Sequence, residues 1–261
     1  MKYCVLASGS QANATVVESG NVRLLIDAGL RCRTLEARLK AVAVTPESLN
    51  GILITHEHVD HVAGLARFVK KYPLPVFANY NTAAVIERQC LLEQLPVPEF
   101  ALFDSNLPFL LEHLTITPMQ IPHDTAEPVG YLLDDGEHCL GYFTDLGYVP
   151  EPVVQALRRC SGLILESNHD LQMLRQSGRG FQLISRISGR AGHLSNEQAC
   201  EAVANGAGAA LKIITLAHLS AECNQPELAL SLMKGTLKHL GRSEIHVAIA
   251  RQNQPLPFME L

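Results

Sequence analysis

The stretch ITHEHVDHVAG, residues 54 to 64, holds three histidines, a glutamate and an aspartate in six consecutive positions, His56 to His61. The apolar run LNGILIT (49–55) leads into it and predicts a buried strand that delivers His56 at its end. DHVAGLARFVKKY (60–72) then has helical spacing, with Asp60 in the first turn, where the helix dipole favours an acid. Neutral imidazole binds borderline metals well, and alternate loop residues turn two rings toward one ion, a spacing that His56 and His58 have. Asp60 and His61 follow on the next turn and face a second ion. One segment thus supplies two ligand pairs, as a two-metal hydrolytic site needs. Glu57, between two ligands, reads as a structural or solvent-facing acid.

Ligand-type residues recur downstream, each after an apolar strand: His123 in IPHD, Asp145 in FTDLG and His218 in TLAHLS. Sites in layered folds gather at strand ends and loops. His113, His138, His239 and His246 have no such company and read as ordinary histidines.

The chain has 261 residues, 47% of them hydrophobic and 18% charged, a globular composition long enough to bury a sizeable core. No apolar run is long enough to span a membrane. MKYCVLASGSQANAT (1–15) reads as a first strand rather than a signal peptide. Seven cysteines without a CxxC pair argue against a disulfide framework or zinc ribbon and read as reduced thiols of a cytoplasmic protein. The net charge of −5 carries no global nucleic-acid signature, so a polyanion must be met by a local patch or by metal.

No repeat or linker divides the chain, which reads as one domain, 1–261. YCVLAS, ATVVES, VRLLIDAG, LNGILITH and LPVFAN read as strands, with helices over TLEARLKAV and YNTAAVIERQCLLEQL. DDGE (134–137) is a hairpin signal among the strands between Pro108 and Gly147. Helix EPVVQALRRC, strand GLILES, helix NEQACEAVANG, strand LKIITLAH, helix PELALSLMKGTLKHLG and strand EIHVAIA complete the pattern. Two strand clusters, each followed by helices, predict an α+β fold with two sheets face to face and helices outside.

Asp27 of LLIDAG, THEHVDH (55–61), His123, Asp145 and His218 together resemble the five-motif signature of the metallo-β-lactamase fold, over nearly the whole chain. The resemblance implies an αββα four-layer sandwich of two mixed β-sheets, with metals at one edge. It implies two divalent ions, zinc or manganese: one on His56, His58 and His123, the other on Asp60, His61 and His218, with Asp145 bridging. Asp27 would steady a ligand histidine by hydrogen bonding; the alternative is a strand-end aspartate capping a turn.

LILESNHD (163–170) and RAGHLSNEQACEAVANGAGAALKIITLAHLS (190–220) resemble RNase Z-like phosphodiesterases. LASGSQANAT, THEHVDHVAG, PHDTAEPVGY, TDLGYV, ESNHD, GHLSN and LAHLSAECN resemble the YycJ/WalJ group, associated with 5′→3′ exonuclease activity on double-stranded DNA. One departure is Gln11-Ala12, where the group's pattern has a second Ser-Gly pair. The chain between His123 and Asp145 is too short for the tRNA-gripping arm of many RNase Z enzymes. Too little chain remains for the added domain of β-CASP nucleases or, after His218, for the helical domain of glyoxalase II. Flavodiiron proteins carry Glu at the position of His58.

Ser195 and Gln198 form a capping-box pattern, which puts His193 just outside a helix. There it is a candidate general acid for a leaving oxygen, or a residue closing the helix entry. Glu166 and His169 are candidates to orient it or to contact phosphate. The candidate catalytic residues are Asp60, Asp145 and His193. Arg175, Arg179, Arg186 and Arg190 lie between His169 and His193 with Asp170 as the only acid, and form a candidate phosphate contact or a solvated basic face. Ser8, Ser10 and Asn13 belong to a turn that could present backbone N–H groups to substrate. The rivals to a two-metal DNA exonuclease are a small ester, thioester or lactone hydrolase of the same fold and a metal-stabilised scaffold.

Overall fold

The computed structural model describes residues 1–261. β1 (Lys2–Ala7), β2 (Ala14–Ser19) and β3 (Val22–Ile26) come first, followed by α1 (Cys32–Ala41) and β4 (Gly51–Leu53). Next are α2 (Val59–Val62), α3 (Leu65–Lys71), β5 (Val76–Asn79), α4 (Tyr80–Leu92) and β6 (Phe100–Phe103). β7 (Phe109–Leu111), β8 (Leu114–Gln120), β9 (Val129–Asp134) and β10 (Cys139–Phe143) follow, then α5 (Glu151–Leu157) and β11 (Gly162–Glu166). The remainder is α6 (Leu171–Gln176), α7 (Phe181–Ile187), α8 (Asn196–Gly206), β12 (Ile213–Ala217), α9 (Pro226–His239), β13 (His246–Ile249) and β14 (Met259–Glu260).

The expected pair of mixed sheets with flanking helices is present, each sheet with seven strands. One runs β14-β1-β2-β3-β4-β5-β6 and the other β13-β12-β11-β10-β9-β8-β7. In the first sheet β1, β2 and β3 pair antiparallel, whereas β3 to β6 are parallel. In the second, β10 to β13 are parallel and β9 meets β10 antiparallel.

The chain divides into two compact units. The first holds residues 1–118, 125–129 and 251–260, the second 119–124, 130–250 and 261. In the first unit Leu6, Val16, Leu25 and Ile52 of the strands meet Leu35 and Leu39 of α1, Phe68 of α3 and Ile86 of α4. In the second, Phe143, Leu165 and Leu216 meet Val153 and Leu157 of α5, Val203 of α8 and Met233 of α9. Burying each such side chain contributes about 1.5–3 kcal/mol. No helix is long and apolar enough to cross a membrane.

The run 60–72, read as one helical segment, is two helices. Gly64 separates them: its N–H donates to Ala28 O at 2.9 Å, and a Cβ there would fall 1.9 Å from Leu30 O. With its N–H committed to Ala28 O, Gly64 does not continue the i−4 ladder of a single helix. The DDGE hairpin forms as expected, with Asp134 opposite Cys139 and Asp135 Oδ1 accepting from the N–H groups of Glu137 and His138. The structure adds β6, β14, α6 and α7 to the predicted elements. α6 has one buried residue, Leu174, and α7 has none, so neither leaves an apolar stripe in the sequence. β14 exists through pairing with Lys2 and Tyr3 at the far end of the chain, which no local pattern encodes.

Candidate metal centre

In the first unit, β3 and β4 are parallel neighbours, and their ends bring Asp27 beside Thr55. Asp27 is fully buried. Its Oδ2 accepts from His61 Nδ1 at 2.8 Å and from Thr55 Oγ1 at 2.9 Å, while its Oδ1 accepts from Thr55 N at 2.9 Å. Burial pushes its carboxyl above the usual range, against the opposing pull of His61 and Thr55. Thr55 Oγ1 also lies 3.0 Å from His56 Nδ1. Nδ1 of both rings is therefore turned to protein oxygen, which makes Nε2 the lone-pair nitrogen of each. The ring of His56 lies 4.8 Å from that of His58, edge to face, and 4.0 Å from that of His61.

Asn13 fixes the other side of this corner. Its N–H donates to Asp60 O at 2.8 Å, and its Nδ2 lies 3.2 Å from Asp60 Oδ2 and 3.0 Å from His61 Nε2. Gly29 closes the same loop; a Cβ there would lie 1.6 Å from Asp60 O. Glu57 Oε1 accepts from Ala126 N at 2.8 Å, a structural bond.

In the second unit, Glu166 ends β11 fully buried. Its Oε1 accepts from Nδ1 of His193 and of His218, each at 2.8 Å. Its Oε2 accepts from the N–H groups of Leu146 and Leu194, each at 3.0 Å. Burial opposes charge on this carboxyl, but His193 and His218 outweigh it and hold it down at about 2. Burial likewise opposes protonation of His193, and Glu166 with Asp145 overcomes it, raising the imidazole above its usual value. Asp145 Oδ1 lies 3.3 Å from His218 Nδ1, and His123 Nδ1 donates to Gly192 O at 3.1 Å. One donor atom each from Asp145, Glu166, His193 and His218 falls within a 4.8 Å cluster. The predicted capping box of α8 is present, with Ser195 and Gln198 bonded reciprocally, so the loop carrying His193 has a fixed exit.

Residues 22–215 match the family model described as the beta-lactamase superfamily domain. Exodeoxyribonuclease YycJ of Bacillus anthracis is 34% identical over 241 residues, covering 92% of this chain and 90% of that protein. Exodeoxyribonuclease WalJ of Streptococcus pneumoniae is 32% identical over 248 residues, covering 95% and 91%. The chain belongs to the metallo-β-lactamase superfamily, in the YycJ/WalJ group. Its fold is shared with the metallo-β-lactamase fold protein YhfI of Bacillus subtilis, at 20% identity, TM-score 0.73 and 98% coverage of both chains. The short form of human tRNase Z also shares it, at 16% identity, TM-score 0.67 and 98% coverage of both.

The donors of this YycJ/WalJ-group chain suit a divalent metal ion. His61 and His218 give their Nδ1 protons to buried carboxylates and His123 gives its own to a carbonyl, the support that a metal-ligating imidazole needs to present Nε2. Thr55 and Gly192 supply two of these anchors without having been singled out, because a strand threonine and a backbone carbonyl look ordinary in sequence. Asn13, named for the backbone N–H groups of its turn, gives its own N–H to Asp60 O and turns its side chain to Asp60 and His61.

The turn around it is also committed internally. The N–H of Ser8 donates to Arg251 O, that of Gly9 to Asn13 Oδ1, that of Gln11 to Gln252 Oε1 and that of Ala12 to Gly9 O. Those groups are not available to phosphate, and Ser10 is exposed beside them. His169 is fully buried, and neither of its ring nitrogens has a hydrogen-bond partner, so Glu166 and not His169 orients His193. Arg179 pairs with Glu222 and Arg186 with Asp124, each at 2.7 Å; Arg190 lies 4.4 Å over the Tyr148 ring, and Arg175 is exposed on α6.

Proposed function

We propose that this chain is a metal-dependent exonuclease that degrades duplex DNA from its 5′ ends, with residues 1–261 acting as one catalytic domain. Two divalent ions, zinc or manganese, would be held by residues drawn from His56, His58, Asp60, His61, His123, Asp145 and His218. The observation that carries the reading is the anchoring of Nδ1 in His56, His61, His123 and His218 by protein oxygens, in a chain whose relatives bear the name exodeoxyribonuclease. Seven free cysteines, six of them buried, accord with a reducing cytoplasm, and the activity with the processing or repair of DNA ends.

When bound, the ions supply positive charge to the phosphate and acidify a water. This chain's own residues do the rest. Asp27 and Thr55 hold His61 and His56 in one tautomer, and Asn13 fixes Asp60 beside them. Glu166 and Asp145 raise the His193 imidazole above its usual value, which favours the protonated ring, and the ring gives its proton to the departing 3′ oxygen. Tying Nδ1 to Glu166 leaves Nε2 as the nitrogen that exchanges that proton.

The test is incubation with 5′-phosphorylated duplex DNA labelled at either end, with added Mn²⁺ or Zn²⁺, alongside His58→Ala. The reading expects loss of label from the 5′ end first, by wild type alone. Intact DNA with both proteins, together with turnover of a small ester or lactone by wild type, would replace it with the small-ester hydrolase.

A further inference from the structure

α7 buries none of its side chains; Phe181 is 83% exposed and Leu183 beside it is also open. The helix is nevertheless anchored at its other end on the catalytic loop. Ile187 O accepts from His193 N at 2.8 Å, and Gly192, whose carbonyl receives His123 Nδ1, makes room because a Cβ there would fall 2.2 Å from Ile187 O. Arg186 reaches Asp124, next in sequence to His123. At the Phe181 end, Gly178 and Gly180 have nothing within 4 Å of where a Cβ would stand. α7 is thus an arm tied to His193 at one end and open at the other.

Its surroundings favour a polyanion. Arg175, Arg179, Arg186 and Arg190 flank the ridge with no acid between Asp170 and His193. The ion pairs of Arg179 and Arg186 are surface pairs, weak enough to be exchanged for phosphate, and the Arg186 side chain keeps 65% of its surface in solvent.

We propose that Phe181 is a stacking platform for a base of the bound DNA strand, an inference that rests on the nuclease reading above. At 1.5 Å per residue, α7 rises about 9 Å from Phe181 to Ile187. Stacked bases are about 3.4 Å apart, so Phe181 meets a base about two to three nucleotides from the phosphate beside His193. Stacking on an aromatic face is tolerant of sequence, which suits an enzyme that must advance along any strand. A protein partner is the competing occupant of this ridge, and the arginines speak for DNA.

The experiment compares wild type, Phe181→Ala and Phe181→Trp on 5′-phosphorylated duplex DNA carrying 2-aminopurine at each of the first four positions from the 5′ end. Steady-state KM and the fluorescence change in stopped flow, before the first turnover, are both read. Phe181→Ala raises KM about tenfold, the weight of one lost stack, and abolishes quenching at the second and third positions. Phe181→Trp restores both. Wild-type degradation with unchanged KM and quenching in Phe181→Ala overturns this inference alone. DNA left intact by wild type overturns the nuclease reading and this inference with it. Thermal midpoints of the three proteins, which match because the side chain is in solvent, separate loss of stacking from loss of fold.

Discussion

Replacing Glu166 with glutamine keeps the shape of the side chain and removes its chemistry. The carboxylate accepts four hydrogen bonds, from Nδ1 of His193 and His218 and from the N–H groups of Leu146 and Leu194. A carboxamide has one oxygen. If that oxygen keeps the two backbone donors, the NH₂ faces two imidazole donors; if it turns over, the two backbone groups lose their acceptor. Either way two buried donors are stranded, at about 1–3 kcal/mol each, so Glu166→Gln loses roughly 2–6 kcal/mol. The depressed pKa, which reflects the same bonds, leads to a similar figure. The folded carboxyl sits at about 2 against an ordinary 4.5, and at 1.36 kcal/mol per unit that shift is worth about 3 kcal/mol.

The folded value is depressed, so this stabilisation is fully present above pH 4.5 and is lost as pH falls toward about 2. Guanidinium unfolding in chelator, at pH 7 and again near pH 3, measures it without metal. At pH 7 the variant is less stable by about 3 kcal/mol, a fall in thermal midpoint of roughly 6–12 °C for a chain of this size. At pH 3 about half of the gap has closed, because the unfolded carboxyl is then protonated while the folded one is still mostly ionised. Equal stability at pH 7, within about 0.5 kcal/mol, would refute the reasoning, since it would mean that the four bonds are not made.

His193→Ala retains its metal, measured by elemental analysis, and degrades DNA about 100-fold more slowly. Because Glu166 and Asp145 raise the His193 pKa, wild-type kcat falls as pH climbs through that raised value; the variant lacks this alkaline limb, which a pH–rate profile reads directly. Asp27→Asn exchanges the acceptor of His61 Nδ1 for an amide and weakens metal affinity about 10- to 100-fold, measurable by calorimetric titration. Gly29→Ala drives a Cβ to 1.6 Å from Asp60 O and 2.8 Å from Asn13 N. Neither atom belongs to a movable side chain, so the variant loses about 1–3 kcal/mol or more and binds metal poorly in the same titration.

The two sheets and the larger helices were legible because their apolar periods are local. LNGILIT and GLILES become β4 and β11, and the capping box before α8 appears where Ser195 and Gln198 predicted it. What stayed hidden depends on distant partners. Asn13 looks like a turn residue until Asp60 and His61 are placed against it, and β14 is two residues that mean nothing without Lys2 and Tyr3. Glu166 was legible as a strand-end acid, but its service to two histidines at once was not: His218 follows it by 52 positions, and only β11–β12 pairing makes them neighbours. The arginines show the opposite failure. Sequence counted four positive charges, whereas Arg179 and Arg186 already pair with Glu222 and Asp124 from outside the segment.

The strand ends explain why a sequence pattern could point to chemistry at all. Asp27, Asp145 and His218 each follow an apolar strand, and each adopts a positive φ, at 60°, 60° and 54°. For a non-glycine residue this left-handed conformation costs about 1 kcal/mol or more, although Asp and His tolerate it better than most. Glycine would relieve the strain at all three positions but would bring no donor. The surrounding bonds hold the strained geometry instead. Thr55 and His61 grip Asp27, Leu146 N–H next to Asp145 is held by Glu166 Oε2, and Asn168 Nδ2 donates to His218 O at 2.8 Å. The turn made at each of these residues carries the chain out of the sheet just where a donor is needed. A single ligand-type residue after an apolar run is therefore the one-dimensional trace of a strained, over-determined corner. The trace does not suffice alone, since Glu112 follows the apolar β7 at φ 55° as well; it points to a site where further donors gather at the corner, as Glu166 and His193 do at Asp145 and His218.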